Sequence, residues 1–168
     1  LYGALAGGRG RAELRRGGLS ELARRLERAE LTTDFGPPRP HPGAGVTLVA
    51  ARPPLVAFNL ELAPPAGAEE ARAIAAAIRD GGPEGIGGVR AIGLWLTARG
   101  LAQVSFNVED PAATPLCLLV EAVRRHAPVS GAELVGLAPR AALTGFPGDV
   151  QIRGFDPANQ VIENALGL

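Results

Sequence analysis

The stretch Leu55-Val56-Ala57-Phe58-Asn59-Leu60-Glu61-Leu62 decides the predicted fold, because it alternates between two kinds of side chain. Large apolar residues form one face of the predicted strand, namely Val56, Phe58, Leu60 and Leu62. The opposite face carries Ala57, Asn59 and Glu61. Strict alternation of this kind indicates a strand with one buried face. The face with Asn59 and Glu61 either forms the floor of a polar site or meets solvent.

The residues downstream of this strand show helical and extended patterns in turn. The predicted elements are a helix over Gly67–Asp80, paired strands over Val89–Leu96 and Leu101–Val108, a helix over Thr114–His126, a strand over Glu133–Leu137 and a last helix from Asp156 to about Leu166. The order β-α-β-β-α-β with a final helix predicts an α/β (α+β) fold. We expect a layered sandwich, with helices on one face of a mostly antiparallel, four-stranded sheet.

The second strand of the predicted hairpin carries three neutral polar side chains on one face, Gln103, Ser105 and Asn107. A row of uncharged donors and acceptors suits a heterocyclic ligand better than a charged substrate. The alternative interpretation is an exposed polar face of the sheet.

A loop rich in proline and glycine, Asp34–Gly45, precedes the sheet region. Proline fixes φ and removes a backbone donor, so the loop is predicted to be rigid and extended. A preformed loop of this kind either links two subdomains or lines a ligand slot. Its candidate binding residues are Gly36, Pro37, Pro38, Arg39, Pro40, His41, Pro42, Gly43, Ala44 and Gly45.

Two further elements are predicted on either side of this loop. Leu19, Leu22 and Leu26 recur at helical spacing and indicate an amphipathic helix. The β-branched content of Gly45–Ala51 predicts a strand. The pair of prolines after Arg52 cannot lie inside a central strand, so we expect a subdomain boundary there.

Composition narrows the class of protein. The 168 residues are 46% hydrophobic, which indicates a globular protein. They carry no formal net charge, so no overall electrostatic field attracts the chain to nucleic acid or anionic lipid. No apolar run approaches the roughly 20 residues of a membrane span. The single cysteine, Cys117, excludes an internal disulfide and fits a reducing compartment. The chain opens on Leu1 rather than Met, and we interpret it as a fragment whose beginning is missing.

Taken alone, the residues contain no recognisable catalytic or metal-binding motif. His41 and His126 are isolated from other ligand types, so no metal site is expected. Ser105 and Ser130 lack the local context of an activated nucleophile. These observations indicate a cytosolic α/β binding unit and do not specify a reaction.

Segments spread over nearly the whole chain, in a consistent order, point to one known family. They are Asp34-Phe35-Gly36-Pro37, Ala51-Arg52-Pro53, Val56–Leu62, Ala102–Val108, Glu133–Pro139, and Gly154-Phe155-Asp156-Pro157 with Val161-Ile162-Glu163. Together these segments resemble the glutamate formimidoyltransferase (formiminotransferase) family.

The resemblance implies an enzyme of two subdomains whose sheets pack together, with folate in a tunnel between them. Residues 1–54 align with the end of the first subdomain, which is largely missing, and residues 55–168 align with the second. The implied reaction, part of histidine degradation and one-carbon metabolism, transfers the formimino group of N-formimino-L-glutamate to N5 of tetrahydrofolate, the co-substrate. A cytoplasmic homodimer with no nucleic-acid or membrane partner is also implied.

Candidate site residues come from the resemblance and from the chemistry of the side chains that a folate ligand needs. The family's folate-contacting stretch falls on Gly36–Gly45, and Arg39 and Arg52 are candidate partners of the carboxylates of the glutamate tail. Candidate polar residues of the pocket are Arg52, Asn59, Gln103, Ser105 and Asn107. The family's catalytic histidine aligns upstream of Leu1, so no catalytic residue is assigned here, although His41-Pro42 imitates part of its segment.

Two alternatives remain open at this point. One is a binding or scaffold module that keeps the same fold without catalysis. The other is a relative that uses formyl-glutamate as donor, because exchanging a donor nitrogen for oxygen requires few substitutions.

Overall fold

A computed structural model describes residues 1–51 and 54–168 of the chain. The chain divides into two compact units, Leu1–Arg52 and Pro53–Leu168. The longest helix among the described residues has 11 residues, and none of these helices has the length and apolar character needed to cross a membrane.

The first unit contains short helices and the proline-rich loop. A 3-10 turn over Ala4–Ala6 precedes helix α1, Arg11–Arg15, and helix α2, Gly18–Glu27. The two helices bury Leu14 and Leu26, and the buried Arg25 donates to the carbonyl of Glu13 at 3.0 Å. Helix α2 therefore lies where the leucine spacing predicts it.

The strand predicted over Gly45–Ala51 is wrong. Residues 46–51 are irregular, and Val49 accepts one backbone hydrogen bond, from the N–H of Tyr2 at 3.0 Å. β-Branched residues favour extended geometry, but a strand also needs a neighbour that takes up its backbone groups. Among the described residues of this unit, that single bond is the only one of this kind to residues 46–51.

The second unit is built on a four-stranded antiparallel sheet with strand order β2-β3-β1-β4. Its elements, in chain order, are β1 Val56–Leu62, helix α3 Ala68–Ile78, β2 Val89–Leu96, β3 Leu101–Val108, helix α4 Leu116–Arg124 and β4 Val129–Val135. Strand β3 lies between β1 and β2, which is the split β-α-β arrangement. The predicted α+β fold and its antiparallel sheet are confirmed.

The pairing register places the large apolar side chains of β1 on the same face as Val104, Phe106 and Val108 of β3. Phe58 lies opposite Phe106, and Leu60 lies opposite Val104. These four side chains have relative exposures of 1% or less and form one core with the apolar residues of α3 and α4. The alternation in the sequence predicts this arrangement because side chains of a strand have a period of two.

Helix α3 approaches the sheet closely at Gly93 of β2. A Cβ at Gly93 would lie 2.2 Å from the backbone carbon of Ala71, so only glycine fits beneath this helix. On the same layer, the rings of Phe58 and Phe146 meet edge to face with centroids 5.9 Å apart. The Gly93 contact thus holds α3 close to the sheet, and Phe146 packs on the same apolar face.

The last predicted helix is interrupted. Asp156 caps helix α5, Pro157–Gln160, by accepting from the N–H of Ala158, as its position predicts. Helix α6, Ile162–Ala165, follows only after Val161, which is extended and forms a parallel bridge with Ala138. Val161 is 4% exposed, so burial and bridging of this residue override the helical pattern.

Candidate functional site

A row of polar side chains crosses three strands on the sheet face opposite the helices, which we call the polar face. Asn59 of β1 lies between Ser105 of β3 and Glu133 of β4 in the strand register. The Ser105 hydroxyl donates to Oδ1 of Asn59 at 2.7 Å, and Nδ2 of Asn59 donates to the Glu133 carboxylate at 2.9 Å. Both partners fix the orientation of the Asn59 amide, which retains one N–H and one oxygen lone pair.

A second set of charges lies next to this row. Glu61, only 7% exposed, accepts two hydrogen bonds from the guanidinium of Arg99, one of them 3.0 Å long. Arg153 lies between two carboxylates, with Nη2 at 3.5 Å from Glu61 and 2.9 Å from Glu133. Two carboxylates and two guanidinium groups therefore neutralise each other on the polar face.

These contacts affect the ionisation of the cluster. The hydrogen bonds that the Glu61 carboxylate accepts raise the pKa of Arg99 above its ordinary value, against the opposing effect of partial desolvation. The negative charges of Glu61 and Glu133 act in the same direction. Arg99 is therefore a permanent cation of this cluster.

Gln103 occupies a buried position beside Glu61. It lies opposite Glu61 in the register and is 3% exposed. Its Oε1 has no hydrogen-bond partner among the residues that the structure describes. Burial of an acceptor without a donor costs free energy. A ligand group that donates a hydrogen bond to Oε1 of Gln103 would therefore be stabilised here.

The candidate polar residues of the sheet thus differ in their surroundings. Asn59 and Ser105 are bonded to each other, whereas Gln103 is adjacent to the cluster without a bond to it. Asn107 is exposed and lies opposite Ala57, beyond the end of the cluster. Arg52 lies outside the described residues.

Sequence reasoning missed three charged members of the cluster. The predicted strand over Glu133–Leu137 gives Glu133 no role in a site, and no role is predicted for Arg99, between the two hairpin strands, or for Arg153. A signal for Glu133 exists in the alternation of β4, because Gly131 and Glu133 share a face. No local pattern indicates that Arg99 and Arg153 reach the polar face.

The proline-rich loop of the first unit ends in a closed turn at His41–Gly45. The backbones of His41 and Gly45 exchange two hydrogen bonds of 2.9 Å, and Gly45 has φ +70°. The His41 Nδ1 accepts from the N–H groups of Gly43 and Ala44 at 3.2 and 3.0 Å. The His41 ring thus shapes the loop by satisfying two backbone donors.

A cavity of about 520 Å³ lies against this loop, within the range of small-molecule sites. Its apolar wall includes Leu14, Leu22 and Leu26 from the two helices, and its polar groups include Arg9 and Asp34, 3.5 Å apart. The predicted loop residues that line the cavity are Pro37, Arg39, Pro40, His41, Pro42 and Gly45. Those that do not line it are Gly36, Pro38, Gly43 and Ala44. Whether any of them contacts folate stays a prediction.

The fold and these features define the class of protein: an α+β protein whose sheet carries a hydrogen-bonded polar cluster opposite its helices. The sequence pattern of the Formiminotransferase domain family matches residues 57–147, which include most of the sheet. The chain belongs to this family, and the resemblance stated above is confirmed.

Individual relatives agree with this assignment. A glutamate formimidoyltransferase of Streptococcus pyogenes serotype M1 is 36% identical over 161 residues, which are 92% of this chain and 53% of the relative. A formimidoyltransferase-cyclodeaminase of Sus scrofa is 39% identical over 85% of this chain and 28% of its own length. A glutamate formimidoyltransferase of Thermoplasma acidophilum is 31% identical over 83% of this chain and 47% of its own length. The chain therefore spans about half the length, or less, of the curated relatives it matches.

Proposed function

We propose that the full-length protein is a glutamate formimidoyltransferase. It transfers the formimino group of N-formimino-L-glutamate to N5 of tetrahydrofolate, its co-substrate, in the cytoplasmic degradation of histidine. The observation that carries this proposal is the family match over residues 57–147, because this segment contains Asn59, Glu61, Ser105 and Glu133 of the polar cluster.

The two parts of the chain have different roles in this proposal. Residues 1–54 end the first subdomain of the enzyme and supply the folate loop, whereas residues 55–168 form the second subdomain. Arg39 pairs with a carboxylate of the glutamate tail, and the prolines form rigid walls around the aromatic part of folate. The catalytic base is the family's histidine, which aligns outside these residues.

The polar face contributes hydrogen-bonding groups for a substrate. Asn59 is held by Ser105 and Glu133, so its remaining N–H and oxygen lone pair have fixed directions. Preorganised groups of this kind lose little conformational entropy when a substrate binds. Gln103 adds an acceptor that is unsatisfied in the described residues.

A donor assay with the full-length protein tests the proposal. Glutamate release is measured with formimino-glutamate or formyl-glutamate, each with and without tetrahydrofolate. Release from formimino-glutamate that requires tetrahydrofolate is expected. Release from formyl-glutamate alone would identify the formyl-using alternative. Folate binding without release from either donor would identify a non-catalytic binding module.

A further inference from the structure

The side-chain oxygen of Gln103 lies among side chains that cannot donate a hydrogen bond to it. Leu94 of β2 and Glu61 of β1 are the residues opposite Gln103 in the strand register. The Leu94 side chain has no polar atom, and the Glu61 carboxylate contains only acceptors. On β3 itself, the hydroxyl of Ser105 already donates to Asn59 at 2.7 Å. Among the described residues, Oε1 of Gln103 accordingly has no hydrogen-bond partner.

Burial makes this missing donor informative. Gln103 is 3% exposed, so bulk water does not supply the hydrogen that its oxygen needs. Nearly all buried polar groups in native proteins are paired, and an unpaired one indicates a partner other than its immediate neighbours. The polar face thus offers an acceptor to a molecule that brings its own N–H or O–H group.

The carboxylate of Glu61 is a second acceptor beside this oxygen. An ionised carboxylate has about four lone-pair sites, and the guanidinium of Arg99 uses two of them. Gln103 and Glu61 are directly opposed on neighbouring strands, which places their Cβ atoms about 5 Å apart. The two residues therefore present one neutral and one negative acceptor side by side. A complementary group has two N–H bonds on one nitrogen and a positive charge.

We propose that Gln103 determines the donor specificity of the enzyme by accepting a hydrogen bond from the nitrogen of the formimino group. This proposal rests on the function proposed above, and it assigns the end of formimino-glutamate that is transferred to the polar face. A formimino group is an amidine, and its terminal nitrogen has two N–H bonds when it is protonated. One N–H donates to Oε1 of Gln103, and the other donates to the carboxylate of Glu61.

The same oxygen disfavours a formyl donor. Formyl-glutamate has a carbonyl oxygen at the position of the formimino nitrogen, and a carbonyl oxygen only accepts. Two acceptors would then face each other with no hydrogen between them, and both would lose their hydrogen bonds to water. Sites that pair a buried polar group with a substrate N–H reject analogues that lack this group. Discrimination between the two donors is therefore expected to depend on Gln103.

Steady-state kinetics of the full-length protein test this proposal. The two measured quantities are kcat/KM for formimino-glutamate at saturating tetrahydrofolate and the inhibition constant of formyl-glutamate against that reaction. Gln103→Leu removes the acceptor and keeps a side chain of similar volume. This variant is expected to lower kcat/KM by roughly tenfold or more without raising the inhibition constant of formyl-glutamate.

Two further variants make the test specific. Gln151→Leu makes the same exchange at an exposed glutamine of the same unit, so both constants should stay as in the unchanged protein. Gln103→Met matches glutamine in length but offers only a weak sulfur acceptor, and its effect should have the same direction as that of Gln103→Leu. Circular dichroism verifies that each variant is folded, and Gln103→Met provides the test if Gln103→Leu is not.

Several results would overturn the proposal. Unchanged constants in a folded Gln103 variant, or an equal loss of affinity for both donors, would give Gln103 only a structural role. Weaker tetrahydrofolate binding in calorimetry, with unchanged donor constants, would place its partner on folate instead. A preference of the unchanged protein for formyl-glutamate would contradict the assigned role of the acceptor. An unchanged protein without tetrahydrofolate-dependent release of glutamate would refute the proposed function itself, and this proposal with it.

Discussion

The guanidinium of Arg99 donates two hydrogen bonds to the carboxylate of Glu61, although the two residues are 38 positions apart in the chain. Glu61 is 7% exposed, and its carboxylate also lies 3.5 Å from Nη2 of Arg153. A nearly buried carboxylate that loses a paired guanidinium keeps its desolvation cost without the compensating bonds. The pair therefore stabilises the sheet unit and orders the polar face.

Replacement of Arg99 by Ala is expected to lower the melting temperature of the full-length protein. The cause is the Glu61 carboxylate, which loses two hydrogen bonds in a buried position. Arg90→Ala is the matched control, because Arg90 pairs with Glu109 on the surface, where their side chains are 65% and 41% exposed. Thermal denaturation by circular dichroism measures both. Equal shifts for the two variants would show that burial of Glu61 does not strengthen the pair.

His41 is expected to hold the loop through its Nδ1 acceptor. His41→Ala removes the acceptor of the Gly43 and Ala44 N–H groups, so these two amides should exchange faster with solvent. His41→Asn is the matched variant, because the Asn side-chain oxygen can accept from the backbone two residues on. Hydrogen exchange followed by NMR measures the effect. Protection that survives in His41→Ala would mean that the Gly45 pairing alone closes the turn.

Arg39→Ala should weaken tetrahydrofolate binding by about 1.5–3 kcal/mol if Arg39 pairs with a tail carboxylate. This expectation rests on the proposed function and on the position of Arg39 in the lining of the loop cavity. Arg28→Ala changes a cation outside that lining and is the control. Isothermal titration calorimetry on the full-length protein measures both. An unchanged dissociation constant for Arg39→Ala would mean that Arg39 is exposed to solvent and does not pair with folate.

Two prolines of the loop allow the effect of rigidity on folate binding to be distinguished from the effect of direct contact. Pro38 does not line the cavity, whereas Pro40 does. Pro38→Ala should weaken folate by about 0.4–1 kcal/mol, appearing as a less favourable binding entropy, because the free loop gains conformations. Pro40→Ala should cost more, since it also removes apolar contact. Calorimetry distinguishes the two effects. An enthalpic loss in Pro38→Ala would contradict the rigidity interpretation.

Glu163 should make stability depend on pH in the acidic range. Backbone N–H groups of Glu163 itself and of Arg140 donate to this carboxylate and lower its pKa below the ordinary value of 4.5. A lowered pKa in the folded state stabilises the protein above pH 4.5, and this stabilisation is lost as the pH falls through the folded value.

Glu163→Gln should therefore lower the melting temperature at pH 7, and the difference should shrink as the pH falls below 4.5. Glu121→Gln, at an exposed position of α4, is the control and should show little change at either pH. A melting temperature difference for Glu163→Gln that is independent of pH would point to lost packing rather than lost charge.

Local periodicity determined most of the sheet unit. The alternation of Val56–Leu62 and Leu101–Val108 predicts both strands and the apolar face that they bury, because side chains of a strand have a period of two. The apolar stripe of α3 is a property of consecutive residues in the same way. The family segments and the position of Asn59 and Ser105 on one face could also be inferred before the structure.

Tertiary structure alone decided which side chains meet. Asn59 and Glu133 are 74 positions apart, and Arg99 and Glu61 are 38 apart, so no local pattern joins them. The irregular course of residues 46–51 and the extended Val161 have the same origin, since both depend on which distant backbone groups offer a hydrogen bond. Propensity acts between neighbours in sequence, whereas burial and hydrogen bonding act between neighbours in space.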